Sequence, residues 1–143
     1  MSFKYIIPII IIILSNVVYH VTTKNIPKEV NSFLSLAITY MTGMIVAVAM
    51  YCVTSKQNNI LTDIHKINWT SYVVGLAIVG VEMGFIYMYR LGWDISKGSL
   101  ITSVSLAILL IIIGALFYKE HIGLYQIVGI VFCIVGLIFV NFK

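Results

Sequence analysis

The sequence predicts an all-α integral membrane fold, a bundle of five spanning helices, and three observations carry that prediction. Hydrophobic residues make up 61% of 143 residues and charged ones 10%, with a mean hydropathy of +1.06. A soluble domain of this size cannot hide so much apolar surface, and its exterior needs many more charges. The apolar residues fall into five runs, each near the ~20 residues that cross ~30 Å of hydrocarbon. Short polar connections separate the runs. Backbone at that depth finds no water, so it must satisfy its own hydrogen bonds, and the runs are helices.

The expected spans are 5–22, 30–53, 72–92, 99–118 and 122–142, within one domain over 1–143. Lys4 before the first run resembles the start of a signal peptide. However, Tyr19, His20 and Val21 follow the run in place of a small-residue cleavage site, so it reads as a retained span. Between the first two spans, Pro27 is placed to start the second helix. The second span carries Ser35, Thr39, Gly43 and Ala47 every four residues, a stripe that lets another helix approach closely. The stretch 54–70 is the one long loop, polar and without pattern, with Trp69 as an interface anchor. In the third span Gly80 and Gly84 form a small-xxx-small pair, and Trp93 marks its far interface. Ser99, Ser103 and Ala107 repeat the small-residue pattern in the fourth span, and 119–121 is a tight hairpin into the fifth.

Charge placement bears on orientation. With five spans, Lys4, Lys56, Lys66 and Lys119 share one side, and Lys24, Lys28, Arg90, Lys97 and Lys143 the other. Four against five leaves the positive-inside rule almost no preference. Insertion in both orientations is therefore expected, so that two opposite copies pair antiparallel about a midplane site. The net charge of +4 suits contact with anionic headgroups.

Glu82 is the most informative residue. It lies ten residues after Tyr72 and eleven before Trp93, near the expected midplane, where an ionised carboxylate costs about 3 kcal/mol. Such a group faces a bundle interior or a wet cavity, and it suits exchange of a proton; the alternative is a protonated Glu82 that bonds another helix and specifies packing. Tyr40, Tyr87 and Tyr89 are candidate aromatic partners, able to hold organic cations by their ring faces. Asn16 either lines the cavity or bridges helices. His20 reads as an interface residue, Arg90 as snorkelling to the headgroups, and Glu120 as an anion at the last helix's N-terminus. Cys52 and Cys133 are free thiols with no metal-ligand spacing. No nucleophilic triad, phosphate loop, HExxH or cofactor motif occurs, and no basic cluster suits nucleic acid. An enzyme is not expected.

The runs from Gly84 through Arg90 to Ser99 and from Phe117 to Gly136 resemble the drug/metabolite transporter superfamily. Their most specific part is Glu120, Gln126, Gly129 and Gly136 in an "E…hxQhhGhhhhhxG" ending. Five spans are similar to one half of the ten-span EamA-type members, which carry two inverted repeats. The chain departs from the related small multidrug transporters, whose first-helix Glu stands eight residues before a Lys. Counting back from Lys24 gives Asn16. Ala107 stands about where many EamA-type members carry a proline. The resemblance implies an antiparallel homodimer, equivalent to a ten-helix inverted-repeat transporter, with a central cavity and alternating access. The expected protein sits in a bacterial cytoplasmic membrane and moves small metabolites or organic cations, with proton exchange at Glu82. A non-transporting subunit of a heteromeric complex and a component moving lipid-linked sugar are the alternative readings.

Overall fold

The computed structural model describes residues 3–55 and 60–141, and the side chains of Phe3, Lys4 and Asn141 are outside that description. Lys56, Lys143 and the predicted span end at Phe142 therefore lie outside the described residues. Six helices follow one another: α1 Phe3–Lys24, α2 Ser32–Thr54, α3 Ile60–Ile64, α4 Trp69–Arg90, α5 Ile95–Phe117 and α6 Leu124–Asn141. Four contain stretches long and apolar enough to cross a membrane: Tyr5–Lys24 of α1, and α2, α4 and α5. The apolar part of α6, Leu124–Val140, is shorter. The chain divides into two compact units, one holding α1 up to Val21 and everything from Leu91 onwards, the other Thr22–Arg90.

In the Thr22–Arg90 unit, α2 packs on α4. Their buried residues are Ser32 and Leu36 of α2, one turn apart, and Ile86 and Tyr89 of α4. The expected small-residue stripe is not this contact: no neighbour comes within 4 Å of a Cβ placed on Gly43, Gly80 or Gly84. Large side chains hold α2 and α4 together, and the stripes stay open.

The α2 start also corrects the sequence reading. Pro27 stays in the turn, because Asn31 caps the helix: its side chain accepts from the N–H of Phe33 at 2.9 Å and of Leu34 at 3.3 Å, an arrangement worth about 1 kcal/mol. Arg90 is engaged within the chain. Its Nη2 donates to the carbonyls of Val30 at 2.6 Å and Pro27 at 3.2 Å, and so ties the end of α4 to that turn. Nor is the loop over 54–70 without structure. The short helix α3 lies in it, and the Tyr51 hydroxyl donates to Asp63 Oδ2 at 2.8 Å while Lys66 pairs with Asp63 Oδ1 at 2.9 Å. The fourth helix consequently begins at Trp69, a turn earlier than the predicted 72. Gly92, with φ +94°, ends it in the left-handed conformation that a glycine adopts without penalty.

In the other unit α5 packs on α6. A non-glycine residue turns the corner: Lys119 has φ 53°, and the Gly114 carbonyl receives the N–H groups of both Tyr118 and Glu120 at 3.1 Å. Glu120 does not cap α6 as expected. Its carboxylate folds back over Gly114, where an added Cβ would meet Oε2 at 2.5 Å. The cap is made by Gln126, whose side-chain oxygen accepts from Gly123 N–H at 2.9 Å while Gln126 N–H returns to Gly123 O at 2.9 Å. That is the half of a capping box that the third helical residue supplies, the glycine contributing only its backbone, and it fits a start of α6 at Leu124.

Candidate functional site

Two polar features stand out on the apolar helices, one in each unit. The first is Glu82, the lone Asp or Glu within the five long helices among the described residues. With α4 running Trp69–Arg90, Glu82 lies ~4 Å from the middle of the helix, towards Arg90. It shares a face with Phe85, Ile86 and Tyr89, three, four and seven residues on. Tyr89 is 4% exposed and stacks on Phe85, with ring centroids 6.2 Å apart. From α2 the half-buried Tyr40 presents its hydroxyl to the Glu82 carboxyl, and the two groups interact electrostatically. The hydroxyl oxygen is buried yet closes no hydrogen bond of proper geometry among the described residues. The hydroxyl and the carboxyl are nonetheless placed to hydrogen-bond each other across the α2–α4 contact.

Among the aromatic candidates, then, Tyr40 meets Glu82 and Tyr89 shares its face. Tyr87 does not join them. Five residues on from Glu82, it is turned by about 140° and is 51% exposed.

The second feature is a groove of about 440 Å³ between α1 and α5. Asn16 and His20 line it from α1, Ser99 and Ser103 from α5, and Ile12 and Ile95 are among its aliphatic walls. Asn16 Nδ2 donates to Ile12 O at 2.9 Å and Ser99 Oγ to Ile95 O at 2.7 Å. Such bonds to the preceding turn satisfy polar side chains in an apolar medium. Asn16 lies among the residues that line this groove. His20 lines the same groove and meets the Tyr19 ring edge-on at 5.2 Å. The expected α5 stripe is split: Ser99 faces this groove, Ala107 lines an apolar groove of about 350 Å³ between α5 and α6, and Ser103 borders both.

Sequence reasoning missed the Arg90 tie, the Tyr51–Asp63–Lys66 clamp and the Gln126 box. Gly-x-x-Gln before an apolar run was a legible signal for the last, and Asp63 and Lys66 three residues apart were legible as a pair; the Arg90 tie and the Tyr51 bond join residues farther apart in sequence. The Lys66 ammonium, and next the Tyr51 hydroxyl, hold the Asp63 carboxyl below its ordinary range, and Lys66 is raised in turn by Asp63. Among the described residues no three His, Cys, Asp or Glu gather into a metal site.

Apolar helices of spanning length place the chain among multi-pass membrane proteins. Its sequence matches the EamA-like transporter family over residues 3–142, and the chain belongs to that family, in keeping with the drug/metabolite transporter resemblance. No curated protein and no solved structure matches it significantly.

Proposed function

We propose that this chain transports small metabolites or organic cations by alternating access, with Glu82 as the group that takes up and releases the coupled proton. The supporting observation is the lone carboxyl within the long helices among the described residues, facing a buried tyrosine hydroxyl on the neighbouring helix. A carboxyl kept in lipid is expensive, and packing by Ile86 and Leu36 has no need of it. A phenol beside it can donate to the carboxylate or accept from the carboxylic acid, so the pair accommodates both protonation states.

The working unit is an antiparallel pair of two copies, each with five spans, α6 being the fifth. At 18 residues α6 extends ~27 Å, close to the hydrocarbon thickness. The uncovered stripe of Ser35, Thr39, Gly43 and Ala47 is the kind of surface on which helices associate in lipid. The bacterial cytoplasmic membrane is its site, and the near-even distribution of Lys and Arg favours insertion both ways. The whole of 1–143 acts as one transport domain.

Uptake into proteoliposomes under an imposed pH gradient tests the reading. Wild type accumulates its substrate. Glu82→Gln keeps its helical circular dichroism but loses gradient-driven accumulation, by at least ~100-fold if the proton site is gone. Undiminished accumulation by Glu82→Gln would reduce the residue to a packing role.

A further inference from the structure

We propose that the groove between α1 and α5 binds a small uncharged solute rich in hydroxyl or amide N–H groups, which donates hydrogen bonds to Asn16, Ser99 and Ser103. The inference rests on the transport reading and narrows its substrate class, from metabolites or cations to neutral donors.

The lining chemistry is the first ground. The groove's polar groups are an amide, an imidazole and two hydroxyls: Asn16, His20, Ser99 and Ser103. No Asp or Glu borders it, and no Phe, Tyr or Trp. An organic cation would find there neither a countercharge nor a ring face to replace the water it leaves. A neutral solute gives up far less on entry.

The direction of the existing hydrogen bonds is the second ground. Asn16 spends an N–H on Ile12 O, and Ser99 spends its hydroxyl proton on Ile95 O. Asn16 Oδ1 and the Ser99 lone pairs remain as acceptors, against the one remaining N–H of the Asn16 amide, so acceptors outnumber donors on these two side chains. Ser103 can turn its hydroxyl either way. Asn16 and His20 are one helical turn apart, as are Ser99 and Ser103, so polar positions repeat every ~6 Å along both walls. Aliphatic side chains such as Ile12 and Val17 fill the intervals. That alternation matches a short linear polyol or amide, with polar groups along a carbon chain. Such a solute leaves the Glu82 carboxyl free to carry the proton by itself.

Cysteine protection in the full chain reads the groove directly. With Cys52 and Cys133 replaced by alanine and Val17→Cys added, the protein in lipid nanodiscs reacts with a water-soluble maleimide. Xylitol at about ten times its dissociation constant slows that reaction about tenfold, and tetraphenylphosphonium does not. Adding Asn16→Leu, or the smaller change Ser99→Ala, weakens xylitol protection about tenfold. The proposal is overturned by any of four results: no maleimide reaction, as when acyl chains fill the groove; protection by the cation; none by xylitol; or protection unchanged in both variants. Xylitol uptake by the same protein in liposomes separates the two readings. Protection without uptake removes transport and keeps the groove; uptake without protection does the reverse.

Discussion

Asp63 shows how a few exposed residues give local order that hydropathy does not announce. Its two carboxylate oxygens are divided between Lys66, three residues on, and Tyr51, across the α2–α3 connection. Because Asp63 is held below its ordinary value, the clamp is at full strength above the usual carboxylate range. It fades as the pH falls through the depressed value. The protection of the α3 amides, taken as the intrinsic exchange rate at each pH divided by the observed rate, is therefore expected to be present at neutral pH and to fall in acid, whereas Asp63→Asn lacks it throughout. Equal exchange in the two proteins at neutral pH would deny the clamp any role. At the same scale Glu82 was legible in the sequence, since a carboxyl within an apolar run is conspicuous. Its relation to Tyr40 was not: which tyrosine of nine meets it depends on how α2 and α4 are rotated about their axes, and no local pattern records that.

At the scale of elements, the helices were readable and their ends less so. Apolar runs fix where lipid must be, but a helix starts where a side chain replaces the missing turn. Asn31 sets α2 and Gln126 sets α6, in place of the Pro27 and Glu120 that the sequence suggested. Asn31→Ala should cost about 1 kcal/mol, read as a lower unfolding midpoint in detergent with unchanged helix content. Arg90 is of greater consequence, because it joins two elements 60 residues apart. Arg90→Met removes the donor from two carbonyls and should cost about 1–3 kcal/mol. The predicted signature is faster proteolysis at the α1–α2 turn, while the α5–α6 hairpin is unaffected. The small-residue stripes were visible in the sequence too, but which stripe is used inside one chain and which stays open is a property of the packed pair.

At the scale of the whole molecule, family membership and apolar helices define a membrane transporter, and the proposed antiparallel pair gives the open α2 stripe a partner. Gly43→Leu adds bulk where nothing now approaches within 4 Å. It should leave the single chain folded while shifting cross-linked material from dimer to monomer. A reporter fused to the C-terminus should be active on both faces of the membrane. The account depends most on one carboxyl in the lipid exchanging protons with water. Reaction with dicyclohexylcarbodiimide, an apolar reagent that attacks protonated carboxyls, tests that claim, because Glu82 is the one target within the described long helices. The account predicts modification at Glu82 that declines as the pH is raised and transport lost in step with it. Modification that ignores pH, or complete modification with transport intact, would contradict it.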